Sequence, residues 1–92
     1  MDFVTIGEYS DGKDRQRTLI REQHLDLSDG ESVSAAFHSR TASIRVCANV
    51  SHRWRVGNKA VATPESQRRP ADVVEFHDVV PNEDWVMAFI VE

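Results

Sequence analysis

Cysteine, glycine, proline and long apolar runs are all scarce in this 92-residue chain, and each shortage closes off a class of protein. The single cysteine, Cys47, leaves no internal disulfide framework and no multi-cysteine zinc site. It points to synthesis in a reducing cytoplasm. No run approaches the roughly 18 apolar residues that a membrane-spanning helix needs. The opening MDFVTIGEYSDG has neither the basic nor the apolar region of a signal peptide. The four glycines build no phosphate-cradling loop. The four histidines (His24, His38, His52 and His77) share no metal-ligand spacing with one another or with Cys47, and read as exposed strand and loop residues. His77 and Asp78 are adjacent, so on a strand they face opposite ways and cannot share an acid–base site. No catalytic, cofactor-binding or metal-binding residue is assigned, and an enzyme is not expected.

Helical periodicity is nearly absent as well. What is present is short alternating runs between turn residues, the period-two pattern of half-buried strands. SVSAAF (32–37) puts Val33, Ala35 and Phe37 on one face. ASIRVCANV (42–50) puts Ile44, Val46, Ala48 and Val50 on one face and Ser43, Arg45, Cys47 and Asn49 on the other. HRWRVG (52–57) pairs Trp54 with Val56 and sets Arg53 and Arg55 opposite. DVVEFHDVV (72–80) sets Val74 and Phe76 against Val73, Glu75 and His77. Turn residues recur in SDGES, HSRT, VGNK, TPESQRRPAD and VPNED. The spacing predicts an all-β fold, a small antiparallel β-sandwich or jelly-roll-like sheet pair of about six to eight strands. One domain is expected over 1–92, with a core in 31–92. Residues 1–30 read as extra strands, with a short helix over 17–27 or an N-terminal arm as alternatives.

The last run, DWVMAFIVE, is apolar on both faces, with Trp85, Met87, Phe89 and Val91 on one and Val86, Ala88 and Ile90 on the other. Such a strand is covered on both sides, either as a central strand or against a second subunit. Trp85, Met87 and Phe89 are therefore candidate interface residues. A chain this short also leaves much of its surface exposed, which makes self-association a natural supplement to its core.

Charge is segregated. Residues 40–69 carry +6, residues 70–92 carry −6 and residues 1–39 carry −4, for the overall −4. A single nucleic-acid-binding face would make the whole domain basic, which it is not. Within SHRWRVGNK, alternation sends Trp54 away from Arg53 and Arg55, so cations and aromatic do not share a stacking surface. Arg45 is expected to join Arg53 and Arg55 on one basic face. Arg53, Arg55, Arg68 and Arg69 are the remaining interface candidates, with an acidic protein surface as complement, including the C-terminal third of a neighbouring copy. A nucleic-acid module using the Arg40–Arg69 stretch is the weaker alternative.

From residue 32 onward the order of features resembles small virion accessory proteins of tailed phages. The resemblance rests on SVSAAF, the strand TASIRVCANV, the Val-Gly ending of HRWRVG, the loop AVATPESQRRPAD, the strand VVEFHDV and the final VMAFIVE. Arg68-Arg69 before Pro70-Ala71, and PNED in place of a Pro-Gly turn, depart from the pattern. The resemblance implies a capsid decoration (cement) protein, or a related head or tail accessory β-sandwich. It would be located in the virion, made in the host bacterial cytoplasm, and partnered by itself as homodimer or homotrimer and by a capsid or tail protein. A small phage inhibitor of a host protein is the alternative role.

Overall fold

The computed structural model describes residues 2–11, 17–63, 66 and 68–91. Alternation is realised from the start. Val4, Ile6 and Glu8 of β1 (Phe3–Asp11) point inward and are fully buried, while Phe3, Thr5 and Tyr9 point out. Residues 17–26 form β2 (Arg17–Asp26), so the N-terminal region contributes strands, not a helix or an arm. The remaining strands are β3 (Glu31–Val33), β4 (Ser43–Ala48), β5 (His52–Gly57), β6 (Arg68–Arg69), β7 (Glu75–Asp78) and β8 (Val86–Val91). They make two four-stranded antiparallel sheets, β2-β1-β4-β7 and β3-β8-β5-β6. The core between them holds Ile6, Ile44, Val46, Trp54, Met87 and Phe89, with Leu27 and Phe37 closing it off.

The wiring is that of a jelly roll with its last strand moved to the front. If β2 to β8 are counted as one to seven and β1 as eight, the sheets read 1-8-3-6 and 2-7-4-5. This is the jelly-roll order of two interlocked four-strand sets. The relocated β1 still lies between β2 and β4, antiparallel to both.

β8 is a central strand, as its doubly apolar sequence predicts. Met87 and Phe89 fill the core, and Ala88 on the opposite face is only 2% exposed. One expected face does not form. Val33 and Ala35 are exposed whereas Ser34 and Phe37 are buried. Register places Val33 beside Ala88 on the outer face, and Ser34 takes the inward place beside Met87. The chain then crosses to the first sheet, and alternation stops at Ala35 and Ala36. Ser34 extends the pairing with β8 through its own amide, donated to Met87 O, and its Oγ, which accepts the Met87 amide.

Past Ser34 the crossover keeps one backbone bond, from the Phe37 amide to Trp85 O, and side chains satisfy the backbone of Ala35 and Ala36. Gln23 holds Ala35 at both amide and carbonyl, and Arg21 donates to Ala36 O. Beneath them lies Glu8, whose two oxygens accept four hydrogen bonds. Oε2 takes Arg21 Nε at 2.5 Å and Gln23 Nε2 at 3.0 Å, and Oε1 takes the His38 amide at 2.7 Å and Thr41 Oγ1 at 2.9 Å. Burial pushes the Glu8 carboxyl toward the neutral form. The hydrogen bonds from Arg21, Gln23, His38 and Thr41 together outweigh it and hold the pKa below 4.5. Glu8 is thus a structural carboxylate, tying the first sheet to the crossover.

Candidate functional site

β7 is the element whose facing decides the surface. Its register against β4 pairs Ile44 with His77 and Val46 with Glu75, so Glu75 and His77 point toward the second sheet. There His77 stands edge-on to Trp54, and Glu75 takes an ion pair from Arg69 at 3.0 Å. Arg69 also lies over the Trp54 ring, 4.8 Å from its centroid. Burial, then the Arg69 charge, keeps His77 below its ordinary pKa, against smaller opposing effects of Glu75 and Asp78. His52 is 3% exposed and tilts against Phe89. Two of the four histidines are therefore packed between the sheets, not exposed, because their strand positions fall on inward registers.

The consequence lies outside. Phe76 is 56% exposed on the outer face of the first sheet, with Val73, Val74 and Phe3 also exposed. Register places Phe76 beside Arg45, Arg45 beside Gly7, and Cys47 beside Thr5. A β-bulge between Glu8 and Tyr9 bends the β1–β2 hairpin, and Arg17 reaches over the Phe76 ring at 5.9 Å. Gly7 is needed under this cover, since a Cβ there would sit 3.1 Å from the Tyr9 ring. Next to Arg45 a groove of about 250 Å³ is lined by Phe3, Thr5, Cys47, Asn49 and Asp72. Arg45 is half-buried, and its guanidinium makes no hydrogen bond or ion pair to a described residue.

The sequence-predicted interface residues scatter. Met87 and Phe89 are core residues, exposed by 0% and 1%, so they offer no surface to a partner. Trp85 is half-buried against the same core. Arg69 points inward to Trp54 and Glu75. Arg53, Arg55 and Arg68 do share the outer face of the second sheet, where Arg53 pairs with Arg68 across β5–β6. Arg45 does not join them, because β4 belongs to the other sheet. Trp54 lies in the core and leaves that arginine face without its aromatic. A second cavity of about 340 Å³ opens between β3, β8 and the Val61–Ala62 loop. Among the described residues, no group of three or more His, Cys, Asp or Glu is placed to hold a metal ion.

Sequence reasoning missed the Arg45 groove and the Glu8 hub. The signal for Glu8 was an acid at the third inward position of an otherwise apolar series, Val4 and Ile6. No family model matches the chain, and no match was found among curated proteins or solved structures.

Proposed function

We propose that the protein is a non-enzymatic assembly module, an accessory component of a phage particle that joins copies of itself and seats on a capsid or tail surface. The carrying observation is the inverted polarity of β7. Its polar residues are turned into the sandwich, and Phe76 and Val74 are left exposed. The face that bears them also carries the Phe3 groove and Arg45, whose guanidinium pairs with no described residue. An apolar patch with an embedded cation is how protein interfaces are built, with aromatic and arginine anchors. The jelly-roll wiring adds an analogy at fold level, since capsid proteins use the same architecture.

Light scattering of the purified protein, with Phe76→Ser alongside, tests the first half of the proposal. The wild type is expected to be larger than a monomer and the variant to lose mass. Quantitative mass spectrometry of purified particles tests the second half. A decoration protein is present in many copies per particle, and its absence would remove the virion role.

A further inference from the structure

We infer that the Arg45 groove on the outer face of the first sheet receives the acidic turn at residues 80–84 of a second copy, so that copies of the chain join groove to turn. The inference rests on the self-association proposed above and specifies the contact that makes it. Within one chain, Asp72, Asp78, Glu83 and Asp84 form no ion pair with a described residue, and neither does Arg45. The charge segregation of the sequence is therefore left largely uncompensated on this face and this turn.

The turn is built to be presented. Val80 is 48% exposed, and Glu83 and Asp84 are exposed beside it. Asn82 and Asp84 take positive φ angles of 63° and 53°, a conformation that Asn and Asp tolerate better than other side chains. Two hydrogen bonds fix it, from the Asn82 amide to Ser39 O and from Asn58 Nδ2 to Glu83 O, both 3.0 Å. The occupant thus offers one apolar side chain and two carboxylates. The groove offers the Phe3 ring and the Arg45 guanidinium, a half-buried cation whose pairing with a carboxylate is stronger than at a fully solvated site, while its own carboxylate, Asp72, stands at the Ala48 end.

The contact is not made within one chain, where Arg45 has no ion pair to Glu83 or Asp84. The turn sits by Ser39 and Ala42 at one end of β4. Arg45 lies three residues along from Ala42, about 10 Å at about 3.3 Å per residue, and the groove runs from there to Asn49 and Asp72. Two copies can make this contact reciprocally about a two-fold axis, or each copy can pass it to the next around a ring or along a filament.

The test compares wild type, Arg45→Gln and the double variant Glu83→Gln/Asp84→Asn by light scattering across a wide concentration range, with circular dichroism to establish that each is folded. The wild type is expected to assemble. Each variant is expected to associate about ten- to hundredfold more weakly. Mixing the two is decisive, because one retains an intact turn and the other an intact groove, and together they can form a capped heterodimer and nothing larger. Cys47 alkylation should slow in that mixture, since the thiol lines the groove. A wild type that is strictly monomeric would overturn both this contact and the self-association. Assembly that survives Arg45→Gln, or variants whose mixture forms no heterodimer, would overturn the contact alone.

Discussion

Trp54 meets His77 edge to face across the two sheets, their ring centroids 4.4 Å apart, and Arg69 covers the indole from β6. This contact links the edge strand β7 to the core strand β5, and it places a titratable ring next to a fixed cation. Protonating His77 would set two positive charges against one another beside Trp54, with Glu75 as the counter-charge already engaged by Arg69.

The pH dependence follows in two windows. His77 has a folded pKa below its ordinary 6.5, so the unfolded chain binds the proton more readily. Its contribution is complete above about pH 6.5 and declines as the pH falls below that value. Glu8, held below 4.5, contributes stability that is present above its unfolded pKa and lost as the pH falls through the folded one. Urea unfolding from about pH 8 to about pH 5 should therefore show stability falling in the acid half of that range. His77→Gln should flatten the fall. A slope unchanged by that substitution would mean that the ring does not carry it.

Glu8→Gln should destabilise the fold by about 2–4 kcal/mol, because one oxygen that accepts two hydrogen bonds becomes a donor facing donors. Arg21→Met should cost less, about 1 kcal/mol, since the Arg21 side chain is 40% exposed and its charge is largely solvated. Unfolding curves for both variants check the ranking. Equal costs would place the energy in the ion pair and not in the carboxylate's four-way hub.

Where the sequence was legible, one face of a strand was plainly apolar. β4 and β8 were read correctly because Ile44, Val46 and Ala48, or Met87 and Phe89, could go nowhere but inward. β7 offered Val74 and Phe76 against Glu75 and His77, and hydropathy favours burying the first pair. The opposite happens because Arg69 and Trp54 wait on the inner side. Trp54 comes from β5, more than twenty residues earlier, and Arg69, though only six residues from Glu75, is held on the second sheet by its pairing with β5. The same non-locality hid the Arg45 groove. Arg45, Arg53 and Arg55 are close in sequence, yet the turn at 49–51 carries the chain from one sheet to the other and puts Arg45 on the opposite surface.

Gly57→Ala should cost about 1–2 kcal/mol although nothing stands within 4 Å of the new methyl group. The cost is conformational, since Gly57 ends β5 at φ 152°, a backbone that side chains rarely adopt. Gly7→Ala tests the contrasting cause, because its Cβ meets the Tyr9 ring at 3.1 Å. Near-ultraviolet circular dichroism should register a Tyr9 change in the Gly7 variant and not in the Gly57 variant. A stability cost of zero for Gly57→Ala would discount the strain.

The relocation of β1 predicts that the chain can be rewired. Leu27 N donates to Asp2 O at 2.8 Å, Gly30 N to Leu27 O at 3.0 Å, and Val91 N to Gly30 O at 2.7 Å. Both ends of the described chain therefore meet at the single turn between β2 and β3. A linker of about six residues spans such a gap. Joining residue 91 to residue 2 and opening the chain between Asp11 and Arg17 would place β1 last, as in an unpermuted jelly roll. The β1–β2 ladder, with Phe3 opposite Asp26 and Asp11 opposite Arg17, would then be closed by tertiary pairing and not by a hairpin. The permutant should unfold cooperatively with native strand content, at a modest loss of stability, because the ladder and the Glu8 hub survive intact. Its folding should be slower, since β1 can no longer pair locally with β2. A permutant without cooperative unfolding would show that the hairpin connection, and not the sheet order, specifies the fold.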